Sequence, residues 1–202
     1  EALSRDPEHI ESLTALAMFY YKQNEFKVAL DFIRRAEKAA TKYNKHPQSG
    51  QIYFVEGLIH LALDSYNAAY DYFYHASWNA DYYSAAMTHI AAIDGLNQNF
   101  EQMLEHSKNA LLFNSYHPIA PVYAAIASIK LSDSHAATDM IESALNWDPL
   151  NHLARYVYYK LGKLEKADFY AALHSDMSQT CLDLAFNLMA CGMFDWATDI
   201  LQ

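Results

Sequence analysis

Histidine–carboxylate pairs are the residues of this sequence whose types and spacing could do chemistry. The 202-residue chain has ten histidines and 24 acidic residues, and three pairs stand four residues apart, which places both groups on one helical face. The three pairs are His60 with Asp64, Asp71 with His75, and His135 with Asp139. A catalytic zinc ion needs three protein ligands, and no His-x-x-x-His or His-Glu-x-x-His motif supplies them. We therefore interpret the pairs as surface contacts and expect neither a metal site nor a cofactor.

Motifs for nucleophilic catalysis are missing from the sequence. It has no G-x-S-x-G elbow, no glycine-rich phosphate loop and no C-x-x-C pair. Cys181 and Cys191 are ten residues apart, or about 15 Å along one helix, whereas a disulfide needs Cα atoms within about 7 Å. We predict two free, buried thiols and no catalytic residue, so we expect a protein that is not an enzyme.

Tyrosine is the most informative excess. The chain has 16 tyrosines, with runs at residues 20–21, 82–83 and 156–159. One interpretation is packing between helices with hydroxyls reaching the surface. The other is a platform for a ligand, where tyrosine rings could also stack on sugars. The sequence leaves both open.

The composition excludes several fold classes and one class of partner. Hydrophobic residues make up 52% of the chain, with five glycines and five prolines, which argues against a β-sandwich or barrel and against disorder. A formal net charge of −10 repels phosphate backbones, so we expect no nucleic-acid partner. The longest uncharged stretch, residues 109–129, has Asn114, Pro118 and Pro121 near its middle. It predicts a helix–turn–helix junction and no membrane span.

The chain repeats itself at a period near 34 residues. The pattern A-L-x-x-D-P occurs at residues 2–7 and again at 144–149. A small-residue series, with one bulky member, recurs at spacings of 40, 34, 34, 30 and 30. Its members are Ala29, Ala69, Met103, Ala137, Ala167 and Ala197. Small residues let two helices joined by a short turn approach closely, so we expect these positions at helix crossings.

This pattern resembles the tetratricopeptide repeat (TPR). The first unit carries the motif as Leu13, Leu16, Ala17, Tyr20, Phe26, Ala29 and Ala36, and the sixth as Leu184, Ala185, Leu188, Phe194 and Ala197. The resemblance implies an all-α, right-handed α-solenoid of about six helix–turn–helix units. We place the units near residues 9–46, 47–81, 82–117, 118–149, 150–176 and 177–202, after a tail of a preceding unit at 1–8. We expect a single solenoid truncated at both ends, with Trp196, Ile200 and Leu201 exposed.

A narrower resemblance concerns the runs YFVEGLIHLAL, YYSAAMTHIAA, NWDPLNHLARY and CLDLAFNLMACGMFDWATDIL. They are similar to the repeat array of a large, uncharacterised bacterial family in which a β-rich, carbohydrate-enzyme-like domain lies upstream. This resemblance implies an alternative function, an accessory repeat region that positions a catalytic domain or substrate.

Candidate binding residues follow from the TPR resemblance. In that family, positions two, five, nine and twelve of each first helix face the inner surface. The candidates mapped in this way are Phe54, Leu58, Val122, Ile126, Tyr156, Tyr159 and Phe186. They would form either core or an apolar, aromatic groove for a protein, a peptide or another domain of the same protein. The mapped positions hold no lysine, arginine or asparagine, so we expect a protein-interaction or scaffolding module that does not bind acidic peptide C-termini.

Overall fold

The computed structural model describes residues 2–42, 50–173 and 177–202. Over these residues the chain is helical throughout and has no strand, which confirms the all-α prediction. It divides into two compact segments, an N-terminal segment, Glu1–Ala86, and a C-terminal segment, Met87–Gln202. The predicted unit boundaries at residues 46–47 and 176–177 adjoin or lie within stretches outside the described residues.

Thirteen helices are present in the described residues. The first five are α1 (Ala2–Arg5), α2 (Ile10–Lys22), α3 (Phe26–Thr41), α4 (Gln51–Ala62) and α5 (Tyr66–Ala76). Helix α6 (Ala80–Leu96) runs through the segment boundary. The rest are α7 (Phe100–Phe113), α8 (Ala120–Lys130), α9 (Ser134–Trp147), α10 (His152–Lys160), α11 (Lys166–Ala171), α12 (Met177–Ala190) and α13 (Phe194–Ile200).

The same helix-ending turn occurs six times. The second residue after the end of each even-numbered helix from α2 to α12 adopts a left-handed backbone, with φ between 55° and 77°. These residues are Asn24, Asp64, Gln98, Ser132, Gly162 and Gly192. The amide after each of them bonds a carbonyl five residues back, as Glu25 does to Tyr20 and Met193 to Leu188. This is the Schellman cap, which satisfies the last carbonyls of a helix and reverses the chain direction.

Small residues lie at most of the expected crossings. Ala29, Ala69 and Ala137 are fully buried, and each lies near the start of the second helix of its pair. Repeat five differs, because α11 begins four residues after Gly162 instead of two. Ala167 is therefore exposed, and the expectation that it is a crossing residue is wrong. The fully buried Phe169 takes that place, since its amide bonds the carbonyl four residues back, as Ala137 does.

Each segment has its own hydrophobic core. In the N-terminal segment, apolar side chains from α2, α3 and α4 form one cluster, whose members include Leu13, Ala17, Ile33, Ile52 and Ile59. In the C-terminal segment the core extends from Ala91 to Ile200. Both cysteines are buried and free, as predicted. Ile200 is buried against expectation, because α13 turns that side chain into this core, whereas Leu201 is exposed.

Two glycines bring distant backbones into contact inside the C-terminal segment. A Cβ added at Gly95 would stand 2.5 Å from the carbonyl oxygen of Cys191, and one added at Gly192 would stand 2.8 Å from the carbonyl oxygen of Gly95. The end of α6 therefore touches the turn between α12 and α13. No side chain fits between them.

Candidate functional site

The candidate groove residues of the N-terminal segment are packing residues in part. The ring of Phe54 lies between the rings of Phe73 and Tyr82, at centroid distances of 5.6 and 5.3 Å. Phe54 and Leu58 are both half-buried. At the predicted groove positions of this segment, a ligand could therefore contact only the exposed part of these two side chains.

Three candidates of the C-terminal segment are core residues. Val122, Ile126 and Tyr156 are 0%, 0% and 1% exposed, so they are not accessible groove residues in this structure. All three belong to the core of the C-terminal segment, and Tyr156 contacts Trp196 of α13. The buried Tyr123 hydroxyl donates to the carbonyl of Asn187 at 3.3 Å, which joins α8 to α12.

The Tyr156 hydroxyl has a structural role. It donates to the Trp196 carbonyl at 2.9 Å and to Asp199 Oδ2 at 3.1 Å. Lys160 Nζ reaches the same carboxylate oxygen at 3.1 Å, and that bond lowers the pKa of Asp199. Desolvation and the Asp199 charge raise the pKa of Tyr156, so its hydroxyl keeps its proton. These bonds hold α13 against α10.

The run of tyrosines at residues 156–159 packs around Phe169. The rings of Tyr156 and Tyr159 lie 5.5 and 5.9 Å from the Phe169 ring. Tyr159 is half-buried. The longer turn after α10 thus brings a large aromatic residue, Phe169, to the crossing of α10 and α11, where other pairs have a fully buried alanine or methionine at the equivalent position.

Phe186 is the exposed candidate. It is 67% exposed, and two other residues of α12, Leu182 and Met189, are each 43% exposed. They occupy positions five and twelve of this first helix, which the TPR resemblance also maps to the inner surface. The three residues are spaced i, i+4 and i+7, so they share one face of α12. We call this set the α12 stripe. It is apolar surface that the described part of the chain leaves about half exposed.

Sequence reasoning missed a buried carboxylate in the N-terminal segment. Glu56 on α4 exposes none of its side chain. Arg34 Nε and His60 Nε2 lie 3.8 and 3.9 Å from its Oε1, and the His60 ring stacks on Tyr72 at 5.2 Å. The Tyr72 hydroxyl is near enough to favour the charged carboxylate, yet neither Glu56 oxygen meets a partner with hydrogen-bond geometry.

Burial controls the protonation of this group. Desolvation, with the nearby Glu37 charge, raises the pKa of Glu56 from its ordinary 4.5 to about 7. Desolvation and the Arg34 charge lower the pKa of His60, and desolvation with Glu56 raises the pKa of Tyr72. The cluster therefore favours neutral groups. Because Glu56 is inaccessible, it cannot touch a substrate in this structure.

A signal for Glu56 is present in the sequence. In the repeat register Glu56 corresponds to Leu16, Ile90 and Leu184, all apolar. An acid at a position that other repeats fill with apolar side chains, four residues before a histidine, marks a buried polar site.

The three predicted histidine pairs have different outcomes. His135 and Asp139 form an exposed contact at 3.1 Å, as expected. His60 faces Glu56, while Asp64 accepts a bond from the Tyr66 hydroxyl, so this predicted pair is wrong. The His75 ring packs against Trp78, 4.8 Å away. No group of three or more potential metal ligands occurs within residues 2–42, 50–173 and 177–202.

Comparison with known proteins identifies the fold. No protein-family profile matches the chain. Solved structures do: the Pseudomonas aeruginosa protein pilF matches at 16% identity with a TM-score of 0.69, over 98% of this chain and 83% of that one. The protein MamA matches at 17% identity with a TM-score of 0.64, over 73% of this chain and 83% of MamA. YrrB is described as a TPR protein with an unusual peptide-binding site. It matches at 16% identity with a TM-score of 0.60, over 94% of this chain and 93% of YrrB.

These neighbours are TPR proteins, and the chain shares their fold of repeated helical pairs. At this level of identity the likeness concerns the fold. In the described part of the chain, no helix is both long and apolar enough to cross a membrane.

Proposed function

We propose that this chain is a non-enzymatic module for protein–protein interaction or scaffolding. The observation that carries the proposal is the α12 stripe, three exposed apolar side chains at positions that face the inner surface in the TPR. Contiguous apolar surface on a helix is characteristic of interaction sites. The fold supports this role, because the structurally similar YrrB is described as having a peptide-binding site.

The stripe indicates the chemistry of the partner. Leu182, Phe186 and Met189 carry no charge, and a flexible methionine beside an aromatic ring adapts to differently shaped apolar surfaces. The partner that fits is an apolar face of a helix or peptide, supplied by another protein or by another domain of the same protein. Binding through buried apolar area should depend weakly on salt.

A role beside a carbohydrate-active catalytic domain is an alternative that rests on the sequence resemblance alone. Exposed aromatic rings are compatible with both functions. The α12 stripe favours protein interaction because it combines an aromatic ring with aliphatic and thioether side chains, whereas sugar platforms need flat aromatic faces with polar neighbours.

Site-specific photo-crosslinking in the producing cell tests the proposal. A photoreactive phenylalanine analogue at position 186 should crosslink to a defined protein segment, while the same group at Glu105, exposed on α7, should not. If position 186 gives no protein crosslink, or both positions give the same products, the stripe is not the interaction surface.

A paired-variant experiment separates binding from folding. Phe186→Ser with Met189→Ser should abolish the interaction and leave the thermal midpoint nearly unchanged, because both side chains are exposed. The matched control, Leu112→Ser with Phe113→Ser, removes exposed apolar area from α7 and should leave binding intact. Equal binding by both double variants and the unmodified chain would contradict the proposal.

A further inference from the structure

A second surface, in a different part of the C-terminal segment, has the features of a binding pocket. It is a cavity of about 420 Å³ between α7 and α9, closed by the chain leading into α8 and by the turn after α9. Its lining includes Tyr116, Pro118, Asp139, Met140, Trp147 and Asp148. We call it the Trp147 pocket. It shares no residue with the α12 stripe.

Two exposed aromatic rings form one wall of the Trp147 pocket. Tyr116 and Trp147 lie 4.6 Å apart between ring centroids, with their planes at 88°. They remain 63% and 65% exposed, although aromatic side chains of this size usually gain stability from burial. In this edge-to-face arrangement both rings line the cavity and offer aromatic surface to it.

The charges of the pocket are negative. Asp139 and Asp148 line it, and no lysine or arginine does. Asp148 uses its Oδ1 to accept the Leu150 amide at 3.0 Å, which leaves Oδ2 for a ligand. Asp139 contacts the exposed His135 imidazole. A cation entering the pocket would thus find two carboxylates and no positive side chain in the lining.

The one histidine of the lining does not alter this balance. His117 Nδ1 accepts the amides of Ile119 and Ala120, at 3.2 and 3.1 Å, and so caps the start of α8. Desolvation lowers the pKa of His117. An unprotonated Nδ1 and a lowered pKa keep this ring neutral, so the pocket stays negative near pH 7.

We propose that the Trp147 pocket binds a lysine or arginine side chain of a partner protein. The aromatic rings contact the methylene stem and the cationic head, since cations are attracted to the faces of tryptophan and tyrosine. The carboxylates of Asp139 and Asp148 bind the charged end. The net charge of −10 attracts a basic segment toward this surface.

Titration with a short peptide tests the chemistry directly. The probe is acetyl-Leu-Arg-Leu-amide, compared with the same peptide carrying citrulline, which has nearly the shape of arginine without its charge. The readout is the NMR signal of the Trp147 indole, assigned by its loss in Trp147→Phe. We expect the arginine peptide to bind about fivefold or more tightly than the citrulline peptide, while the Trp78 indole signal stays fixed.

Variants assign the binding to this pocket. Trp147→Ala and the double variant Asp139→Asn with Asp148→Asn should each weaken binding about fivefold. The charge-matched control, Glu101→Gln with Glu105→Gln, changes two exposed carboxylates of α7 outside the lining and should leave it unchanged. Because all these side chains are exposed, thermal midpoints should stay close to that of the unmodified chain.

Three results would overturn the inference. Equal binding of the arginine and citrulline peptides would show that charge has no role. Loss of binding in the α7 control equal to that in the aspartate variant would show only a general effect of net charge. Binding of maltotriose in place of the peptide, abolished by Trp147→Ala, would assign the pocket to a sugar. None of these outcomes bears on crosslinking at position 186.

Discussion

The two segments each bury an acidic side chain, and they treat it differently. In the C-terminal segment Asp94 on α6 lies 2.6 Å from His106 Nδ1 on α7. In the N-terminal segment the nearest basic nitrogens, Arg34 Nε and His60 Nε2, stand 3.8 and 3.9 Å from Glu56 Oε1, and neither Glu56 oxygen has a hydrogen-bond partner. A buried charge is tolerated when a partner on a neighbouring helix is within bonding distance. Without such a partner the pKa of the acid rises, so Glu56 holds its proton to higher pH than an exposed glutamate does.

Removing the partner of Asp94 should have the largest effect. His106→Ala removes the side chain that lies 2.6 Å from the buried Asp94 carboxyl, and breaking a buried pair in this way typically costs about 3–5 kcal/mol of unfolding free energy. Urea unfolding followed by hydrogen exchange of the C-terminal segment measures this loss. The control is His135→Ala, which removes an exposed pair and should cost less than about 0.5 kcal/mol. Similar losses for both variants would show that the Asp94–His106 bond is not the special contact.

The pH dependence of the N-terminal segment should report Glu56. The pKa of Glu56 is about 7 in the folded state and 4.5 for an ordinary glutamate. Between pH 4.5 and about pH 7 the folded state therefore binds more protons than the unfolded state. The contribution of Glu56 to the free energy of unfolding is therefore fully present at low pH. It is lost as pH rises from about 4.5 to about 7, by up to about 3 kcal/mol.

His60 acts in the opposite sense, since its lowered folded pKa makes stability rise as pH increases toward its ordinary value. Arg34, Glu37, Tyr53 and Tyr72 also surround the group. The test is therefore the difference between the unmodified chain and Glu56→Gln, measured by urea unfolding from pH 5 to pH 8. The variant should gain relative stability as pH rises. A constant difference would mean that Glu56 does not titrate in this range.

Replacing the isolated acid with the residue usual in the repeat should stabilise the N-terminal segment. Glu56→Leu restores the apolar side chain of Leu16 and Leu184 and removes a charge without a hydrogen bond, so we expect a gain of about 2 kcal/mol at pH 7.5. Thermal unfolding measures it, with Glu11→Leu on the exposed face of α2 as the control. A loss of stability would reveal that Glu56 makes bonds that Leu cannot replace.

The smallest expected effect extends the comparison to the turns. The N-terminal segment places Asn24 and Asp64 at its left-handed positions, residue types that tolerate this backbone. The C-terminal segment has two glycines at such positions, but also Gln98 and Ser132, which are less suited to it. Ser132→Gly should therefore stabilise by about 0.5–1 kcal/mol. Asn24→Gly should change stability very little. Chemical unfolding of the two variants in parallel checks the order.

Most of the fold follows from periodicity, and most of the site does not. Apolar residues at helical spacing, with small residues in register, predict the helical pairs because each pair is a local structure. The burial of Val122, Ile126 and Tyr156 depends on how helices from different pairs pack into one core, and such long-range contacts are not encoded in any local pattern. The error at Ala167 has the same origin on a smaller scale: a turn two residues longer moves Phe169 into the crossing.

The contact between Gly95 and Gly192 has a consequence for how this array could evolve. In most helical-repeat proteins each repeat meets its immediate neighbours alone, so units can be duplicated or lost with modest effect. Here the third repeat touches the sixth through bare backbone, and the number of units between them is thereby constrained. Duplication or deletion of a repeat within this stretch would break the backbone contact between Gly95 and Gly192. The segment should be inherited as one indivisible block, with length variation confined to sequence outside it.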